Sequence, residues 1–237
     1  AGLSTSTGVL VGINQIDGKD KFAAGVTLQN LASYNIYAAY RDARIYNGQE
    51  GYYYGMPTDS LADLALAPFR WSVIKKSEVW GGLLGALATA VTIVTLTSDD
   101  APHHHMSLST DDSIFPLAAF PVAIGEESLF RGFLQSALYE NLSPAGSIIV
   151  SSLAFGAAHI PNAFLLEKEE RKSYYSTAIP MITAFGGYFG YLTYKNRSLQ
   201  ESTAIHAWYD FILFAGAYAA NAKLATGKPS IHVSFSL

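Results

Sequence analysis

The 237-residue chain has no cysteine and little charge. Without cysteine there is no disulfide, no thiol nucleophile and no thiolate metal ligand. Charged residues make up 14% of the chain, against about a quarter in ordinary soluble domains. A positive excess is missing too: the formal net charge is -4 and the pI is near 5.8, which argues against a nucleic-acid-binding face. No HExxH sequence is present, so an ordinary zincin is excluded. What fills the chain is hydrophobic: half of all residues, with a mean hydropathy of +0.19. That excludes bulk disorder and supplies an ample core. The shortage of charge points first to a membrane.

The charge is unevenly placed. Residues 1–78 hold 14 of the 34 charged side chains, and the other 20 cluster between apolar runs. The chain begins at Ala1 rather than methionine, as a processed or trimmed product would. Three regions follow: a polar, tyrosine-rich N-terminal region (1–78), a hydrophobic body (79–222) and a tail (223–237). In the first, the spacing predicts a helix over 22–44, with Leu28, Leu31, Tyr34, Ile36, Tyr37 and Tyr40 on one apolar band. The three tyrosines read as packing residues. Tyr46 to Pro57 reads as a turn region. Asp59 is placed to cap a short amphipathic helix through Leu61, Leu64 and Leu66, interrupted at Pro68. Phe69, Arg70, Trp71, Lys75 and Lys76 suit a membrane interface.

From Val79 to Thr97 there are 19 residues without a charge, close to the roughly 20 needed for a span. Gly81 and Gly85 form a small-xxx-small pair suited to close helix packing. Four more apolar segments follow: Ile114 to Tyr139, Pro144 to Ile160, Ala178 to Tyr194 and Thr203 to Ala222. The expected fold is all-α: a polytopic transmembrane bundle of about five helices with an amphipathic N-terminal region. Arg70, Lys75 and Lys76 favour a cytoplasmic start for the first span. Sheet is not expected inside a membrane body of this kind.

Charge inside such segments is expensive and marks function by default. Glu126, Glu127, Arg131, His159, His206 and Asp210 come from three of the segments. Glu127 and Arg131 are four apart and share a helix face, where an ion pair offsets desolvation. Glu126 lies about 100° round the helix and is free for chemistry. Phe155 sits one turn below His159, and Asp210 one turn beyond His206. A buried carboxylate beside an imidazole can take a proton from water, and a histidine with its neighbour can face a developing oxyanion. Glu126, His159 and His206 also make a plausible metal set. The residues leave a metal-held water and a metal-free water both open.

Three motifs lie in these segments in order: Glu126-Glu127-Ser128-Leu129-Phe130-Arg131, Phe155-Gly156-Ala157-Ala158-His159, and His206-Ala207-Trp208-Tyr209-Asp210. They resemble the EExxxR, FxxxH and HxxxN/D motifs of the CAAX-processing and bacteriocin-processing (CPBP) intramembrane proteases, over roughly 79–222. The resemblance implies a membrane-embedded endopeptidase acting on a peptide or protein substrate at the bilayer, which is prenylated in some members. It implies an integral protein, of the bacterial inner membrane. By the same resemblance Glu126 activates water, His159 assists it, His206 and Asp210 line the oxyanion side, and Arg131 braces Glu127. The cofactor stays open between a divalent metal such as zinc and none. The third motif more often ends in Asn. Asp210 donates only when protonated, which makes a histidine-orienting or metal role easier for it.

Two other functions fit the same residues. One is a non-catalytic scaffold or bacteriocin-immunity factor of this fold. The other is an ion-coupled transporter, although no internal repeat is visible. His103, His104 and His105 read as an exposed loop, and Glu167 to Lys172 as a solvated helix end.

Overall fold

The computed structural model describes residues 21–47, 56–97, 115–166 and 168–225. The loop with His103 to His105, Glu167, most of the Tyr46–Pro57 turn and the tail beyond 225 lie outside the described residues. Among the described residues every regular element is helical. In chain order they are α1 (Lys21–Tyr46), α2 (Leu61–Leu66), α3 (Trp71–Ile74) and α4 (Ser77–Thr97). A 3-10 turn (Phe115–Ala118) leads into α5 (Ala119–Glu127), which runs through a π-helical stretch (Ser128–Gln135) into α6 (Ser136–Leu138). Then come α7 (Pro144–Ala158), a 3-10 segment (Ile160–Leu165), α8 (Lys168–Ser173), a second π-helical turn (Tyr174–Ala178), α9 (Ile179–Asn196) and α10 (Gln200–Ala225).

Local sequence accounts for several of these boundaries. Ser143 caps α7 by accepting from the Gly146 amide at 3.2 Å, with Pro144 preset for the first helical position. α2 opens on a capping box, in which Ser60 Oγ accepts from the Asp63 amide and Asp63 Oδ2 from the Ser60 amide. The cap is therefore Ser60 and not Asp59. Asp59 is buried and reaches instead to the turn between α9 and α10. It accepts from Ser198 Oγ (3.0 Å), the Leu199 amide (2.8 Å) and Gln200 Nε2 (2.9 Å). That turn contains Arg197 in the left-handed region (φ 53), where an L side chain is uncommon, so an external tether is to the point.

Other expectations shift in the same way. Of the apolar band on α1, Tyr34 and Tyr37 are buried, but Ile36 faces out. α1 packs directly along α5 and its π-helical continuation, not on a separate layer. A Cβ at Gly125 would lie 2.2 Å from Asn30 Oδ1, and one at Gly132 would lie 2.5 Å from the Tyr37 ring. Only glycine permits this approach. On α4 the close-packed glycine is Gly82, whose Cβ would meet Tyr188 at 2.6 Å. Gly81 and Gly85, expected to pack, face open space.

The start of α10 is held by three charged groups from the segment before α4. Asp59 is one. Arg70 bridges Asp63 (2.9 Å) and Gln200 (3.0 Å), and Lys76 pairs with Glu201. At the far side Glu78 pairs with Lys195 and accepts from Asn196 Nδ2. These basic residues tie helix ends together.

One helix, Pro144–Phe164, is long and apolar enough to cross a membrane by length and composition, with a hydropathy of 1.3 over its best window. Ser77–Ile93 is a shorter apolar helix. Over their described residues the five apolar segments appear as helices, but the other four are not long and apolar enough to cross a membrane by this measure. Polar residues interrupt three of these: Glu126, Glu127 and Arg131 one, His206 and Asp210 another, and Gly-rich α9 carries Lys195 in its last turn.

Asp59→Ala removes three hydrogen bonds from a buried carboxylate and should cost roughly 2–4 kcal/mol, read as a lower Tm in detergent. Asp63 gives a pH signature. Hydrogen bonds from Ser60, then Arg70, hold its carboxyl down from 3.8 to about 2. A depressed acid stabilises the fold above its unfolded pKa and loses that contribution as pH falls through the folded one. The stability gap between the parent and Asp63→Asn should therefore be full above about pH 4 and close toward pH 2.

Candidate active site

Six of the ionisable residues singled out in the sequence, with Phe155, converge at the meeting of α5, α7 and α10. Glu126 and Glu127 are the last residues of α5 in α form, immediately before the π-helical stretch. Such wide turns recur at functional sites because they re-aim side chains. His159 is the C-cap of α7. His206 and Asp210 lie one turn apart on α10.

The deepest part is a charged knot. Glu127 and Arg131 have no solvent exposure, and Arg131 Nη1 donates to Glu127 Oε1 at 3.1 Å. His206 Nδ1 donates to the same oxygen at 2.9 Å. The Arg131 guanidinium carbon lies 4.1 Å above the Phe155 ring and 5.5 Å from that of Phe189, so aromatic faces take the charge that has no carboxylate partner. Phe189 also stacks on His206 at 5.6 Å and 24°. Removing either member of the ion pair would strand a buried charge, at a cost of about 3–5 kcal/mol.

Glu126 stands apart from the knot and opens on a cavity of about 200 Å³. Its Oε2 has no hydrogen-bond partner in the protein and lies 3.7 Å from His206 Nε2 and 3.9 Å from His159 Nε2. His159 has a defined orientation. Its Nδ1 is 2.8 Å from the Phe155 carbonyl, which can only accept, so Nδ1 carries the hydrogen and Nε2 presents its lone pair toward Glu126. The Phe155 ring stands edge-on to it at 4.7 Å. His206 is taken up on both sides, with Asp210 Oδ2 at 3.3 Å from Nε2. The rest of the cavity wall is mainly apolar, as in sites that bury a substrate around a few polar groups.

As a metal centre the set fits poorly. Among the described residues no three His, Asp or Glu side chains are grouped to hold an ion. His206 Nε2, one of the three expected donors, lies against Asp210.

Several wall residues were not among the sequence candidates. Phe185, Phe189 and Met181 come from α9, whose segment reads only as apolar and glycine-rich. Tyr209 belongs to the third motif but drew no attention. Asn162, three residues beyond His159, also lines the cavity. Its one sequence signal is a carboxamide in the turn that follows the second motif. Below the knot, Gln135 is buried and donates to Tyr139 and to the Gly190 carbonyl. That link between α9 and the site helix had no sequence signal.

No curated protein and no solved structure matches this chain. A family model does: Type II CAAX prenyl endopeptidase Rce1-like, over residues 113–212, somewhat less than half of the chain. The matched stretch contains all three motifs and every residue of the knot and of the Glu126–His159 pair. Over residues 113–212 the chain is thus similar to the Type II CAAX prenyl endopeptidase Rce1-like family, whose members are membrane proteases.

Proposed function

We propose that this protein is an intramembrane endopeptidase that cleaves a peptide bond with a water activated by Glu126 and His159. One observation carries the reading. Glu126 Oε2, free of protein partners, faces the lone-pair nitrogen of His159 across 3.9 Å inside a mainly apolar cavity. That gap suits a water bonded to both. Attack of its oxygen on the carbonyl carbon passes one proton to Glu126. As the C–N bond breaks, the same proton goes to the leaving nitrogen. Glu127, Arg131 and Phe155 are positioning residues, which set the place of His206 and the direction of the site helix. Asp210 orients His206. No step is assigned to a metal.

The substrate is a peptide or protein segment presented at the bilayer, of the CAAX type that the family description names. We place the protein in a bacterial inner membrane, with the helices around α4, α5, α7, α9 and α10 crossing it. The outward faces support this. Leu84 and Val91 on α4, Ile149, Val150 and Leu153 on α7, and Ile212 on α10 are exposed apolar side chains that a bilayer would cover.

Glu126→Gln and His159→Ala should each lower cleavage about 10²–10⁴-fold while the protein inserts and unfolds as the parent does. Full activity in either variant removes that residue from the chemistry. Incubation with 1,10-phenanthroline should leave the rate unchanged. Comparative proteomics of membranes carrying the parent or the Glu126 variant would identify the substrate. A phenotype that survives Glu126→Gln would instead favour a scaffold or immunity factor.

A further inference from the structure

Hydrolysis through a tetrahedral intermediate needs a hydrogen-bond donor aimed at the carbonyl oxygen as it gains charge. The four ionisable motif side chains on this cavity have none to spare, and the remaining motif donor on the wall is the Tyr209 hydroxyl, which the test below compares. Glu126 and Asp210 are carboxyls. His206 directs Nδ1 at Glu127 (2.9 Å) and Nε2 at Asp210 (3.3 Å). His159 commits its Nδ1 hydrogen to the Phe155 carbonyl (2.8 Å), which leaves Nε2 as an acceptor. Arg131 is buried behind Phe155 and does not line the cavity.

The one carboxamide on the cavity wall is Asn162. Its position is fixed by the turn that carries His159. The Asn162 amide donates to the His159 carbonyl at 3.0 Å, and the Tyr174 hydroxyl donates to that same carbonyl at 3.0 Å. Tyr174 also meets the Asn162 side chain. A hydroxyl that has given its only hydrogen can accept but not donate, so one Nδ2 hydrogen of Asn162 goes to Tyr174. This orients the amide and leaves its second hydrogen for the cavity.

We infer that Asn162 is a further catalytic residue, donating its free Nδ2 hydrogen to the carbonyl oxygen of the scissile bond as that oxygen becomes an oxyanion. The inference rests on the hydrolase reading above. As the water oxygen bonds to carbon and its proton passes to Glu126, the carbonyl π pair moves onto oxygen. Asn162 bonds to that oxygen without giving up its proton. The pair returns to carbon as the C–N bond breaks. Asp210 cannot supply this bond as a carboxylate, whereas an amide at position 210 could.

The test uses the full chain in liposomes with internally quenched peptides ending in a CAAX tetrapeptide, farnesylated and unmodified. Asn162→Ala should lower kcat about 10²–10³-fold with little change in KM or in Tm. Asn162→Asp should do no better. Adding Asp210→Asn to Asn162→Ala should recover about tenfold or more, because it returns a neutral donor to the cavity. Tyr209→Phe, which removes the other side-chain donor of the wall, should lower kcat clearly less than Asn162→Ala does. An Asn162→Ala enzyme with unchanged kcat overturns the inference. So does a loss that comes with a raised KM and a lower Tm and is not relieved by Asp210→Asn, or an equal loss in Tyr209→Phe. A parent protein that cleaves no peptide of the panel overturns the hydrolase reading and this inference together.

Discussion

The structure depends on where a buried carboxylate finds its counter-charge. Glu127 has no access to solvent, and one of its oxygens takes hydrogen bonds from Arg131 on its own helix and from His206 on α10. The first bond is local and sets the face of the site helix. The second crosses 79 residues of sequence and fixes α10 against α5 in one register. A carboxylate in such surroundings is tolerated only when paired and hydrogen-bonded, so the two helices cannot slide without exposing an uncompensated charge. Phe155 and Phe189 complete the arrangement by covering the guanidinium with ring faces. Because the knot absorbs Glu127, the adjacent Glu126 is left without a structural duty.

The same logic extends outward. α10 carries His206 and Asp210, so the position of its first turn matters to the site. That turn is held from outside by Asp59, Arg70 and Lys76, all from the connections flanking the short helices before α4. α1 then presses on the site helix through Asn30 at Gly125 and Tyr37 at Gly132. Gly125 directly precedes Glu126, so α1 reaches the backbone of the turn that carries Glu126. α1 and the segment Asp59–Lys76 thus brace two of the helices that line the cavity.

The extent to which this was legible follows the range of the interactions. The five apolar segments were readable from runs without charge, and Glu127–Arg131 from i,i+4 spacing, because both are local. The meeting of three helices was readable only as an expectation, from ionisable residues that apolar surroundings would not tolerate singly. Asp59 was misread as a cap because a cap is the local use of an aspartate before a helix, and Ser60 next to it takes that role. Gly81 and Gly85 were misread because a small-xxx-small pattern says that a helix can pack closely but not on which side. Tyr188 and Ile205 come to Gly82 instead. Phe189 and Gln135 gave no signal at all. An aromatic or an amide in an apolar helix acquires a role only from what the fold places opposite it.

The site itself lowers the apolarity of the helices that supply it. Polar residues at a reaction centre must be drawn from helices that otherwise face apolar surroundings, and each one lowers the hydropathy of its helix. α7 contributes only His159, at its C-cap, and Pro144–Phe164 stays apolar enough to span with that residue included. The position brings a benefit of its own. A cap residue has left the helical ladder, so its Nδ1 can reach back to the Phe155 carbonyl while Nε2 points onward to Glu126. The cap geometry therefore delivers an oriented imidazole to the carboxylate.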